Sequence, residues 1–446
     1  MQLQFRDLNL DKRLLRALDE LGYTTPTPIQ EKTFSVAMSG ADLCGIAQTG
    51  TGKTIAYLLP LLNLWKYDKA REPQILVLVP TRELVQQVVD VVTGLATHLG
   101  ATVAGVYGGV NINTQRLQFA EGADILVATP GRLYDLAVSG AFKVRSIKRL
   151  VIDEVDEMLN LGFRAQLRNI LDLLPVKRQN LLFSATLIPE VEELFETYFE
   201  RLQRVEAAPA GTPVEQVEQQ AFELPNFHSK VNFLQWLLRE DRSLRRIVVF
   251  SASKRQADEL AALLEPQFPG EIGLIHSNKD QNHRFQTVRR FQAGEVRVLV
   301  ATDIVARGID IAGVSHVINF DLPEAPEHYI HRIGRTGRAD QSGVAISLVT
   351  PFQADRREEL EAFLGKPLNV IPVPESVPLS DELIDDEIPK VPMKELSMKL
   401  PPKEERGASF HEKKAKNRKV NVVVSRKDRM MKKYGKPITR GSKKKR

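Results

Sequence analysis

Short apolar runs that recur at the spacing of intervening helices confine this chain to a narrow set of folds. Ile75 to Val79, Asp124 to Ala128, Leu150 to Ile152 and Asn180 to Phe183 form one series. Arg246 to Phe250, Ile272 to Ile275, Val296 to Val300, Val314 to Ile318 and Val344 to Val349 form a second. Such runs read as strands buried on both faces, and the helix-length segments between them supply the crossovers that parallel strands need. The fold class is therefore α/β, with one doubly wound parallel sheet per series. Between the series, Arg204 to Pro213 is small, Pro- and Gly-bearing and aperiodic, as an interdomain linker is. After about Leu368 the pattern stops. The Pro-rich, acidic stretch from Ile371 and the basic tail after it read as largely disordered.

A chain of 446 residues exceeds one ordinary core, and its length suggests roughly two or three domains. No apolar stretch approaches the ~18–20 residues of a membrane span, and Met1 to Arg13 lacks an apolar signal core, so neither a membrane partner nor secretion is expected. The lone cysteine, Cys44, excludes an intramolecular disulfide and argues against structural zinc. Within the strand-like run Asp42 to Ala47 it reads as a small buried apolar residue. A reducing, cytoplasmic setting fits these features. Charge is unevenly placed: Pro401 to Arg446 holds 18 Lys or Arg against 4 Asp or Glu, a balance of +14 against +6 for the whole chain, so the preceding 400 residues carry −8. That asymmetry points to a polyanionic partner, with nucleic acid the leading candidate.

Two motifs carry chemistry. In AQTGTGKT, Ala47 to Thr54, backbone amides of Gln48, Thr49, Gly50, Thr51 and Gly52 can ring an anion. Lys53 can reach the outer phosphates, Thr54 can hold Mg²⁺, and the following helix presents its N-terminus. In DEVD, Asp153 follows an apolar run and so sits at a strand's carboxyl end, where open α/β sheets bind ligands. It can hold Mg²⁺ largely through water, while Glu154 can orient and deprotonate an attacking water. An acidic pair opening a helix can also be only a favourable charge at its N-terminus. Beside a phosphate-binding loop, ATP with Mg²⁺ is the stronger reading. Arg335 and Arg338, at i and i+3, share one face of a turn or helix.

The ordered set of motifs resembles the DEAD-box RNA helicases of superfamily 2, bacterial in character, with DEVD in place of DEAD. The resemblance runs from about Phe5 to Leu368. It rests on GYTTPTPIQ (Gly22 to Gln30), AQTGTGKT, PTRELV (Pro80 to Val85), Gly108-Gly109, TPGRL (Thr129 to Leu133), DEVD, SAT (Ser184 to Thr186), VVFSAS (Val248 to Ser253), ATDIVARGID (Ala301 to Asp310) and HRIGRTGR (His331 to Arg338). It implies two RecA-like domains in tandem and a disordered basic C-terminal tail. The expected boundaries are 1–208 for the first domain, 209–216 for the linker, 217–370 for the second domain and 371–446 for the tail, basic from 401.

For the ATP site the resemblance implies that Gln30 bonds the adenine edge and Tyr23 stacks on the base, with Phe5 in support; Tyr23 and Phe5 also read as ordinary core aromatics. Gly308 and Asp310 would serve the ribose side. Arg335 and Arg338 would be arginine fingers on the γ-phosphate, the alternative being surface ion pairs. Asp156 would bond the Ser184/Thr186 segment and His331, tying nucleotide state to domain closure. RNA contacts would come from Pro80, Thr81, Arg82, Gly108, Gly109, Thr129, Gly131 and Arg132, then His276, Ser277 and Thr302, through sugar and phosphate rather than base. The tail would hold RNA or ribonucleoprotein by salt-sensitive attraction, or merely solubilise the chain. The implied activity is RNA-stimulated ATP hydrolysis coupled to local unwinding of short RNA duplexes or ribonucleoprotein remodelling. A non-catalytic ATP-dependent RNA clamp and a DNA-acting superfamily 2 helicase are the alternatives.

Overall fold

Residues buried on both faces of a strand need a helical layer above and below it, and both series of runs obtain this. The computed structural model describes residues 3–47, 50–120, 122–199, 201–206, 217–241, 243–303, 314–337 and 343–388. The first sheet contains β1 (Leu43–Ile46), β2 (Ile75–Leu78), β3 (Val103–Val106), β4 (Ile125–Ala128), β5 (Arg149–Ile152), β6 (Gln179–Ser184) and β7 (Gln203–Glu206). Its order is β3-β4-β2-β5-β6-β1-β7, with every pairing parallel. Side chains of β2 alternate between two cores: Ile75 and Val77 pack on one face, Leu76 and Leu78 on the other.

The second sheet contains β8 (Val217–Glu223), β9 (Ile247–Phe250), β10 (Ile272–Ile275), β11 (Val298–Ala301), β12 (His316–Asn319) and β13 (Gly343–Val349). Its order is β10-β11-β9-β12-β13-β8, again parallel throughout. Cys44 is fully buried in β1, and burial pushes its thiol up to about 12, so it is an inert packing residue. No helix among the described residues is long and apolar enough to cross a membrane.

Two sequence expectations change. Arg204 to Glu206, read as the start of the linker, form edge strand β7 beside β1. The rest of the expected linker, and the tail from Pro389 onward including its basic part from 401, lie outside the described residues.

The second change concerns residues 371–388, expected to be disordered. They are a strap bound to the second sheet. Ala221 N donates to Asn369 O and Ile371 N to Ala221 O, both at 2.8 Å, which occupies the free edge of β8. Val377 and Ile384, 5% and 7% exposed, enter the core shared with helix Phe227–Glu240. The amide of Asn226, which caps this helix, donates to Ser380 O, and Ser380 N donates to Ser229 Oγ at 2.9 Å. Glu387 Oε1 accepts from Phe227 N at 2.7 Å, placing a carboxylate at the helix N-terminus.

Burying a Val or Ile side chain contributes about 1.5–3 kcal/mol. A chain ending at Leu368 should therefore melt about 5–10 °C below the full chain, whereas one ending at Ile388 should melt with it. Calorimetric scans of the three chains test this. Equal melting of all three would mean that the strap adds no stability.

Candidate functional site

The phosphate-binding loop is tied to the preceding helix before any ligand arrives. Thr27 and Gln30 form a capping box at the start of helix Pro28–Met38, with Thr27 N donating to Gln30 Oε1 at 2.9 Å. The other end of the Gln30 amide donates to Gly52 O at 3.0 Å, and Thr27 Oγ1 donates to Thr51 O at 2.7 Å. Gly52 has φ +86°, and a Cβ there would collide with Gln30 Nε2. Only glycine fits both the backbone conformation and the contact. Gln48 and Thr49 lie outside the described residues. Phe5 is a core residue, and its N–H donates to Thr24 O at 3.1 Å; Tyr23 is 41% exposed beside it.

Lys53 opens helix Lys53–Asn63 and is 6% exposed, and its Nζ has no hydrogen-bond partner among the described residues. A buried ammonium without an acceptor is costly, so the position suits an anionic ligand. Asp153 and Glu154 follow β5 directly and are 3% and 8% exposed. Asp153 Oδ1 accepts from Glu154 N at 2.9 Å. Burial pushes both carboxyls up, that of Glu154 to about 7; Asp153 adds to the shift at Glu154, while Lys53 and Arg335 oppose it. Glu154 is left-handed, with φ 53° and ψ 52°. That conformation costs a non-glycine residue on the order of 1 kcal/mol or more, and such strain concentrates where a side chain must be aimed. Here it turns Glu154 into a small closed cavity shared with Lys53, Asp156, Glu157, His331 and Arg335.

That cavity spans the two sheets. Asp156 Oδ2 accepts from Ala185 N at 3.1 Å, and from Thr186 N and Thr186 Oγ1 at 2.9 Å each. The Ser184 hydroxyl instead donates to Thr186 O at 2.7 Å. His331, on helix Pro326–Ile333, stands 3.9 Å from Asp156 but 2.8 Å from Glu157. Glu157, absent from the sequence-based set, is therefore the nearer partner. Arg335 lies on the turn after that helix and is 5% exposed. Arg338, Gly308 and Asp310 lie outside the described residues. A second cross-sheet contact was also missed: Glu83, in PTRELV, pairs with Arg284, both largely buried. Burial pushes the Arg284 guanidinium down, against the pull of Glu83.

The loops expected to face RNA gather on the first sheet. Thr81 caps helix Arg82–Ala96, accepting from Leu84 N at 3.3 Å. The Arg82 guanidinium lies against Gly109, whose φ of +81° and close approach exclude a side chain. Arg132 donates to Gln115 Oε1 at 2.6 Å and Val110 O at 2.9 Å, bracing the loop that carries Gly108 and Gly109. Thr129 precedes helix Pro130–Val138, in which Gly131 and Arg132 are half-buried, and Pro80 is buried. On the second sheet, Ser277 is exposed and Thr302 buried. His276 is 1% exposed, 3.1 Å from Asp258, with its Nδ1 accepting from Asn278 N at 3.3 Å. Its ring holds the loop together from within.

Among the described residues no group of three or more His, Cys, Asp or Glu is arranged to hold a metal. Mg²⁺ held mostly by water and substrate phosphates needs no such group.

With this geometry in hand, comparison with known proteins gives one consistent family. Residues 27–194 match the DEAD/DEAH box helicase family and residues 229–340 the helicase conserved C-terminal domain. The chain is 38% identical over 358 residues to the DEAD-box ATP-dependent RNA helicase CshA of Bacillus cereus, covering 80% of this chain and 67% of that one. It is 37% identical over 395 residues to the ATP-dependent RNA helicase RhlB of Shewanella frigidimarina, covering 86% and 88%. The structure of Saccharomyces cerevisiae Dbp5 bound to RNA and ADP BeF3 superposes with a TM-score of 0.74 at 29% identity, over 83% of this chain and 95% of that one.

Asp156 gathers four donors into a buried site, the three on Oδ2 and Glu157 N on Oδ1 at 3.1 Å. Replacing it with alanine orphans them, at about 1–3 kcal/mol for a buried donor left unmade. Urea unfolding of Asp156→Ala should show a loss of about 2–4 kcal/mol. A loss within about 0.5 kcal/mol would mean that these bonds are dispensable.

Proposed function

This chain belongs to the DEAD-box ATP-dependent RNA helicases, and on that footing we propose that it hydrolyses ATP in a site that is complete only when RNA holds its two sheets together. The observation that carries this reading is the cavity in which Lys53 and Glu154, from the first sheet, meet His331 and Arg335, from the second.

Each group has a task suited to its surroundings. The buried Lys53 ammonium meets the outer phosphates of ATP, and Gln30 is positioned beside the same loop to read the adenine edge. Thr54 and Asp153 are the residues that would hold Mg²⁺, largely through water, and the ion when bound neutralises charge on the phosphates. The residues fit such a group: two buried carboxyls pushed toward protonation gain from a nearby cation. Glu154 accepts the proton of the water that attacks the γ-phosphorus, and Arg335, with Arg338, meets charge spreading over the transferring phosphoryl group. The proton therefore ends on Glu154, and the bond to the β-phosphate oxygen breaks.

Closure is the costly step. It brings Arg335 into the cavity that Lys53 lines and Arg284 against Glu83, and both steps desolvate charge. RNA bound across both sheets supplies the differential free energy that favours the closed state, which is the physical origin of RNA stimulation. Thr81, Arg82, Gly108, Gly109, Thr129, Gly131 and Arg132, with Ser277 and Thr302, offer hydroxyls, glycine backbone and guanidinium to sugar and phosphate, so binding ignores sequence. Closing on a short duplex bends and locally separates it; hydrolysis and phosphate loss reopen the chain. The basic tail tethers RNA or ribonucleoprotein, and the setting is cytoplasmic.

Steady-state ATPase with saturating single-stranded RNA should exceed the RNA-free rate, and Glu154→Gln should lower turnover by about 10²–10⁴. Matched RNA and DNA duplexes should separate in favour of RNA. Equal turnover by Glu154→Gln would sink the assignment of the base, and equal action on DNA would move the chain to another substrate class.

A further inference from the structure

The second sheet contains a fully buried lysine that none of the motifs includes. Lys230, on helix Phe227–Glu240, is 2% exposed. Its Nζ donates to Phe320 O at 2.7 Å, Asp321 Oδ1 at 3.1 Å and Gln353 Oε1 at 3.2 Å, and it lies 5.4 Å from the centre of the Phe320 ring. A cation so placed is retained at a solvation cost, so what it holds is informative.

It holds Asp321, and Asp321 is a junction. Its Oδ2 accepts from Ala252 N at 2.9 Å, at the end of β9. Its main-chain oxygen accepts from Arg332 Nη1 at 2.6 Å. Arg332, 2% exposed, sits next to His331 and three residues before Arg335, but it points into its own domain. There it forks onto Asp303, with Nε to Oδ1 at 2.6 Å and Nη2 to Oδ2 at 2.7 Å, and reaches Asn319 Oδ1 at 3.2 Å. Its guanidinium stands 5.0 Å from the centre of the Phe250 ring. One polar cluster therefore joins the carboxyl ends of β9, β11 and β12 to the helix that carries His331 and leads to Arg335. Thr302, expected to touch RNA, precedes Asp303 directly.

We propose that Lys230 and Asp321 are positioning residues for hydrolysis: by anchoring Arg332 and, through it, Asp303, they bind the RNA-facing end of β11 and the helix leading to Arg335 into one rigid block. RNA that fixes Thr302 then fixes Arg335 as well. A loosened cluster would let the two move independently, leaving binding intact but misplacing the guanidinium in the closed state. The inference rests on the RNA-gated hydrolysis described above.

The test uses the full chain with Lys230→Met and Asp321→Asn, and with Leu234→Ala as a control. Leu234 lies one turn further along the same helix, is fully buried, and belongs to the apolar core instead of the cluster. Thermal melts first establish that each variant is folded at the assay temperature. With saturating RNA, kcat should fall about ten- to a hundredfold in both cluster variants, the scale expected when a catalytic group is misplaced by an ångström. KM for ATP and apparent RNA affinity should stay within about threefold, and Leu234→Ala should keep its kcat despite a comparable loss of melting temperature. Should Lys230→Met not fold, the shape-preserving Asp321→Asn decides alone. The proposal is overturned if kcat survives in the folded cluster variants, if it falls equally in Leu234→Ala, or if RNA affinity falls while kcat holds. A parent chain unstimulated by RNA would count against the hydrolysis reading itself, and the same comparison on RNA-free turnover would then judge the cluster.

Discussion

Strands buried on both faces leave only their ends for polar chemistry, and that constraint organises the whole molecule. In β2, β4 and β6 every side chain is enclosed, and in β5 every one but Arg149, so neither face can host water or phosphate. Function is forced to the carboxyl ends. Asp153 follows β5, Ala185 and Thr186 follow β6, the phosphate-binding loop follows β1 and Thr302 follows β11. The fold thus pre-aligns loops from distant sequence without spending any core residue on catalysis. The same constraint explains why the cross-sheet cavity is polar while the cores beneath it are not.

That polarity is what would make the proposed closure reversible. An apolar interface between the sheets would close permanently, because burial stabilises at about 25 cal/mol per Å² whatever the ligand. Charged contacts behave otherwise. Glu83 with Arg284, and His331 with Glu157, trade hydration for attraction and come out near balance. A balanced closure can be tipped by a few kcal/mol of ligand binding, the scale available to ATP and RNA together.

Legibility in the sequence followed apolar density. The runs at Ile75, Asp124, Leu150, Asn180, Arg246, Ile272, Val296, Val314 and Val344 announce strands because apolar residues predominate in each. Strands β7 and β8 lie at sheet edges and carry polar, exposed positions such as Gln203, Arg204 and Glu218, so no run marks them. The strap escaped for a related reason. Val377 and Ile384 are too far apart to form a period, and the segment is held by side-chain bonds from Asn226, Ser229 and Glu387 instead of by a repeating ladder. Among the residues in and beside the cross-sheet cavity, Lys53, Asp153, Glu154 and Asp156 were legible because they lie in local motifs. Glu157, Arg284 and Lys230 were not, since their partners lie far away in the chain and leave no local pattern.

The second sheet shows how a charged core can be consistent with an apolar architecture. Lys230, Asp321, Arg332 and Asp303 are compensated within one cluster, and burial pushes the Lys230 ammonium down while Asp321 pulls it back. For Asp321, burial pushes up, but Lys230, the Ala252 amide and Arg332 outweigh it, leaving the carboxyl below its usual range. Apolar replacements of similar volume could fill the same space at no loss of stability. They could not fix direction: dispersion contacts tolerate a slide or a rotation that a two-point guanidinium–carboxylate fork forbids. Under the proposed hydrolysis, a domain that delivers Arg335 to a phosphate in a repeatedly remade site gains more from a fixed angle than from a tighter core. The buried charges are placed where that angle is set.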